Sequence, residues 1–97
     1  MSPLEIFEAH GSFCRTGNGT VFALEAFSAD RSKLTPLQEA WGGSIYEPPP
    51  AAPSRLTWRL YGKRAEALWS ELREQVSEAK RIRGDRKLSH CQHRFGR

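Results

Sequence analysis

The sequence lacks any apolar run long enough to cross a membrane. Its amino terminus lacks the basic-then-apolar layout of a secretory signal. Only two cysteines are present, Cys14 and Cys91, and their wide separation suggests no disulfide framework. These absences point to a cytoplasmic protein with reduced thiols and no membrane partner. Low complexity is confined to the prolines of Pro48-Pro49-Pro50-Ala51-Ala52-Pro53. Zinc-type spacing is missing too: His90-Cys91-Gln92-His93 has neither Cys-x₂₋₄-Cys nor His-x₃₋₅-His, and reads as a terminus that happens to hold soft ligands.

Acidic residues are scarce at one end. From Lys80 to Arg97 seven Lys/Arg stand against Asp85 alone, a local charge of +6. The rest of the chain, with eight basic and ten acidic residues, carries −2. Ninety-seven residues make one domain with a modest core. The expected division is a folded unit over 1–83 and a basic tail over 84–97. A basic tail on a slightly acidic body suggests contact with phosphate, nucleic acid above all. A solvated terminus is the plainer alternative.

Ser2-Pro3-Leu4-Glu5 reads as a helix start, with Ser as N-cap, Pro at the first position and Glu closing a capping box. Gly11 ends that short helix. Two strand-like runs, Ser12–Thr16 and Thr20–Ser28, flank Gly17-Asn18-Gly19, a hairpin signal. Asp30 to Trp41 is expected to be helical in part, firmly from Pro36, where Thr35-Pro36-Leu37-Gln38 repeats the cap pattern. Gly42-Gly43 stops it. Ser44–Glu47 and Arg55–Tyr61 read as a second hairpin around a stiff proline loop. Lys63 to Arg83 is free of Gly and Pro, with Ala65, Leu68, Trp69, Leu72 and Val76 at helical spacing, and is expected to end at Gly84. The result is an α+β fold in the order α-β-β-α-β-β-α.

That order, with these residues, resembles one half of a LAGLIDADG homing endonuclease over residues 3 to 83. Pro3-Leu4-Glu5-Ile6-Phe7-Glu8-Ala9-His10-Gly11 lies over the signature motif, with Ser12-Phe13 continuing it. Leu37-Gln38-Glu39-Ala40-Trp41-Gly42-Gly43-Ser44-Ile45-Tyr46 is similar to the junction into the third strand. Leu56-Thr57-Trp58-Arg59-Leu60-Tyr61-Gly62-Lys63-Arg64-Ala65-Glu66-Ala67-Leu68-Trp69 is similar to the fourth strand and following helix. The resemblance implies a four-stranded antiparallel saddle sheet packed by helices, its concave face in the DNA major groove. One signature copy implies a homodimer, with acids at the signature helix ends holding divalent metal such as Mg²⁺.

This chain departs from that pattern at two positions. His10 falls where the family's metal-binding carboxylate stands, and imidazole suits Mg²⁺ poorly. Glu5 replaces a glycine that lets two signature helices approach. Glu8 lies two residues from His10 and points to a different side of the helix. Candidate catalytic residues are therefore Glu8, His10 and Lys80, the last standing where the family carries a basic residue. The last helical turn favours a lysine in any case, and His10 also reads simply as a polar residue at a helix end.

Strand alternation puts Arg55, Thr57 and Arg59 on one face and Leu56, Trp58 and Leu60 on the other. By the resemblance the polar face reads DNA, joined by Ser44 and Tyr46 and by Cys14, Thr16 and Asn18. The basic residues Lys80, Arg81, Arg83, Arg86 and Lys87 complete the candidate nucleic-acid contacts. Glu25 has no settled face, because both alternating sets of its strand contain apolar residues. The favoured function is nucleic-acid binding, to DNA or to RNA, without ordinary Mg²⁺-dependent nuclease activity. Two alternatives stand beside it: an active homodimeric endonuclease, and a module that binds a protein partner.

Overall fold

Ser2 closes the predicted capping box on helix α1 (Pro3–His10). Its hydroxyl accepts from the Glu5 N–H at 3.2 Å, and the Glu5 carboxylate accepts from the Ser2 N–H at 2.8 Å. The structure is a computed structural model. It describes residues 2–17, 19–48 and 55–95, with side chains described through Cys91. Strands β1 (Gly11–Thr16) and β2 (Val21–Ser28) form the first hairpin. Gly17 and Gly19 supply the positive φ that its turn needs. Helix α2 (Arg31–Trp41) leads to β3 (Ser44–Tyr46) and β4 (Leu56–Tyr61), followed by α3 (Gly62–Leu72) and α4 (Glu78–Phe95).

The four strands make one antiparallel sheet in the order β1-β2-β4-β3. Side chains alternate across it, so one face carries Phe13, Phe22, Leu24, Ala26, Trp58 and Leu60. These pack with Ile6 and Phe7 of α1, Leu34 and Leu37 of α2, Ala65, Trp69 and Leu72 of α3, and Cys91 of α4. Helices thus cover one face and leave the other open. Among the described residues no helix is long and apolar enough to cross a membrane.

Helix boundaries differ from the sequence expectation in three places. Helix α2 begins at Arg31 rather than Pro36, because Asp30 accepts from the Ser32 N–H at 2.9 Å and supplies the N-cap. Pro36 sits inside the helix, and the Thr35 hydroxyl donates to the Arg31 carbonyl one turn back. The final helix is two helices, broken over residues 73–77. Ser77 restarts it, its hydroxyl accepting from the Lys80 N–H at 3.3 Å.

Gly84 does not end α4. It lies mid-helix because a Cβ there would collide with the Trp69 ring, and come within 2.8 Å of Phe13. The glycine is a packing residue, and the helix continues across the expected boundary at 83/84. Asp85 fastens the contact, accepting from Trp69 Nε1 and Arg73 Nε, each at 2.9 Å.

Candidate nucleic-acid interface

At the end of α1 the three candidate catalytic residues have separate duties. Both Glu8 carboxylate oxygens accept from Ser77, one from its N–H at 2.8 Å and one from its hydroxyl at 2.9 Å. The Ser77 N–H holds the Glu8 carboxyl below its ordinary range. Glu8 therefore caps the start of α4 and clamps it to α1. Lys80 is 4% exposed and donates to the Gly11 carbonyl at 2.7 Å. Its ammonium lies 5.4 Å from the Phe7 ring centroid and 6.0 Å from that of Phe13. Burial, with Arg83 nearby, lowers its pKa. His10 is half-buried, with no side-chain hydrogen bond among the described residues.

A hard divalent ion needs several free oxygen ligands. Here one carboxylate is occupied by Ser77, and an imidazole stands at the helix end. Among the described residues no group of three His, Cys, Asp or Glu side chains comes together as ligands. The donor set at this helix end does not fit Mg²⁺. Cys91 is buried in the core while its neighbour His90 is exposed, so the two do not converge.

The register brings the predicted strand residues together on the open face. Ser12, Glu25, Arg59 and Ser44 lie in one row across all four strands; Cys14, Ala23 and Tyr61 form the next, and Phe27, Thr57 and Tyr46 another. Thr16 shares this face, opposite Val21. Asn18 lies outside the described residues. Glu25, unplaced by the sequence, is central and 7% exposed. Arg59 donates to one of its oxygens from Nε at 3.1 Å and from a terminal nitrogen at 2.9 Å. Hydrogen bonding to Tyr61 and then to Glu25 raises the Arg59 pKa. Burial and the adjacent Glu25 push the Cys14 thiol up to about 11, so it is neutral at pH 7. Tyr46 donates its hydroxyl to that of Tyr61 at 3.3 Å. Arg55 stacks over the Phe27 ring, 4.2 Å from its centroid.

The third group is on α4. Arg83, Arg86, Lys87 and His90 recur at the spacing of one helical face. With Ser12 and Phe13 of β1 they line a groove of about 250 Å³. Among the described residues Arg83, Arg86 and Lys87 form no ion pair, whereas Arg81 turns toward Glu78 at 3.9 Å. Three cations and an imidazole along one groove, the cations in no ion pair among the described residues, are an arrangement for a polyanion.

No family model, curated protein or solved structure matches this chain.

The groove therefore has to be read from its own chemistry. The sequence had nominated Arg83, Arg86 and Lys87 by charge; it missed Ser12, Phe13 and His90 as their companions. A signal was present, since the basic spacing runs unbroken from 83 to 90. Treating Gly84 as a stop concealed that these residues share a helix.

Proposed function

We propose that this is a LAGLIDADG-like nucleic-acid-binding domain that does not carry the family's Mg²⁺-dependent cutting chemistry. The observation that carries binding is the α4 row of Arg83, Arg86, Lys87 and His90, aligned along one groove against β1. Phosphate contacts from such a row give affinity without sequence information. Support for the family reading comes from the signature-like residues 3–13 and the order α-β-β-α-β-β before α3. Support for lost chemistry comes from His10 at the acidic position and from Glu8, whose oxygens are engaged by Ser77.

The proposal includes a homodimer formed through α1, whose Leu4, Glu5, Glu8 and Ala9 line a shallow surface hollow with Gln75. Glu5 sits in that seam, but its carboxylate is turned back to the Ser2 N–H.

The test is a salt titration of binding to DNA and RNA, with plasmid cleavage assayed in Mg²⁺ and Mn²⁺. Each of Arg83→Ala, Arg86→Ala and Lys87→Ala should flatten the log–log salt slope by about one phosphate contact. Affinity indifferent to salt and to all three changes would sink the reading. Cleavage by the unaltered protein, lost in His10→Ala, would instead establish the endonuclease alternative.

A further inference from the structure

The open face of the sheet is poorly equipped to read the edges of paired bases. Arg59 is its most central cation, and both of its donating nitrogens on that side are turned onto Glu25. Cys14 holds its proton, and Ala23, between Cys14 and Tyr61 in the next row, is fully buried. The floor of this face is thus closed and electrically balanced. What rises above it is aromatic. Tyr46 and Tyr61 are 41% and 38% exposed, and the Arg59 guanidinium lies 5.9 Å from each ring centroid. Their hydroxyl–hydroxyl bond fixes the two rings relative to one another.

Pre-set aromatic rings present π-faces, which every base can use once it is unstacked from its neighbours. Bases inside a duplex are already stacked and offer only their edges. A row of cations in no ion pair among the described residues lies to one side, on α4, beyond the β1 edge. Two strand spacings of about 4.8 Å separate β1 from the Tyr61 strand β4, and three from the Tyr46 strand β3, so one extended strand can span the basic groove and both tyrosines. Lys87 approaches the sheet at Cys14, whose thiol feels its charge. Phosphates on a cationic track with bases on aromatic rings is the general recipe for single-strand binding.

We infer that the open face binds single-stranded nucleic acid, with phosphates along Arg83, Arg86 and Lys87 and bases stacked on Tyr46 and Tyr61. The inference rests on the nucleic-acid reading above and narrows its ligand from nucleic acid in general to unpaired strands. Arg59 serves here as the support beneath the two rings. The Glu25 carboxylate keeps that support fixed.

Fluorescence anisotropy of the full chain tests this. The probes are oligothymidylate and oligouridylate of about twelve nucleotides, a length within known platform site sizes, and a mixed-sequence duplex of equal length. Single strands should bind at least about tenfold tighter than the duplex at equal salt. Tyr46→Ala and Tyr61→Ala should each weaken single-strand binding by about tenfold, the stacking loss for one base. That loss should persist as salt is raised, while the effect of Lys87→Ala fades. Tyr46→Phe and Tyr61→Phe keep the ring and should retain most of the affinity. Whichever of the two strands binds more tightly names the source of the ligand. Duplex bound as tightly as single strand, or alanine variants that bind normally, would overturn the inference and leave the nucleic-acid reading standing. Binding to none of the three probes would overturn both.

Discussion

Glu25 and Arg59 stand directly opposite each other on β2 and β4, and the guanidinium donates twice to a single carboxylate oxygen. The pair occupies the middle of a sheet face that is otherwise small or aromatic. A side chain read from sequence as a base-contacting arginine is thereby committed to its own fold.

Arg59→Ala should accordingly destabilise the protein by about 2–4 kcal/mol, because it strands a nearly buried carboxylate. Adding Glu25→Gln to Arg59→Ala should recover part of that loss. Arg55→Ala, at an exposed site, should leave stability within about 0.5 kcal/mol. Urea midpoints of the four proteins, compared at constant slope, decide the matter.

Gly84→Ala distinguishes a packed helix from a solvated terminus. At an exposed helical site the change would stabilise by about 1 kcal/mol. Against the Trp69 ring it should destabilise by about 1–3 kcal/mol through overpacking. A raised melting temperature would show that α4 does not press on α3 as described.

For Glu8 the expectation is a structural phenotype. Glu8→Ala removes the acceptor for the Ser77 N–H and should cost about 0.5–2 kcal/mol, the usual effect of a lost cap. His10→Ala, at a side chain with no hydrogen bond among the described residues, should change stability little. Nucleic-acid affinity should survive both changes at a temperature where the variants are folded. Equilibrium unfolding alongside a binding isotherm separates these outcomes.

Acid should loosen the α3–α4 contact. Arg73 and then Trp69 hold the Asp85 carboxyl below its ordinary value of 3.8. As pH falls through that range the unfolded chain takes up the proton first, so stability is full above about pH 4 and declines below it. Glu8, lowered by Ser77, contributes with the same sign. Asp85→Asn should flatten the acid limb of a stability–pH curve and lower stability at neutral pH, where Arg73 loses one of its two carboxylate partners and keeps only Glu74. A curve unchanged by the substitution would remove Asp85 from this account.

Local signals explain what was legible in advance. The Ser2–Glu5 box, the glycines of the first turn and the alternation of Leu56, Trp58 and Leu60 act over a few residues, and each appears where expected. One misreading was a local cap passed over, and the others came from partners distant in the chain. Pro36 looked like a helix start because Asp30 was not weighed as a cap. Gly84 looked like a stop because nothing near it in sequence announces the Trp69 ring. Glu25 could not be assigned a face, since Ala23 and Phe27 share its side as readily as Phe22 and Leu24 share the other. Of the candidate site, the strand residues were legible by alternation, while the engagement of Glu8 and Arg59 depends on contacts that only the fold creates.

Two of the bonds at α1, Ser77 N–H to Glu8 and Lys80 to Gly11, join residues 69 positions apart. Helix α1 is therefore synthesised well before the partners of these two bonds. At eight residues it is too short to persist unaided. Phe7 can meet Trp41, and Phe13 can meet Phe22, before then, but Trp69 and the Lys80 ammonium reach this aromatic group only late in synthesis. Closure of so long a loop slows folding relative to chains built from local contacts. Nascent chains stalled before Ser77 would display an aromatic surface, and so would be natural clients for chaperones.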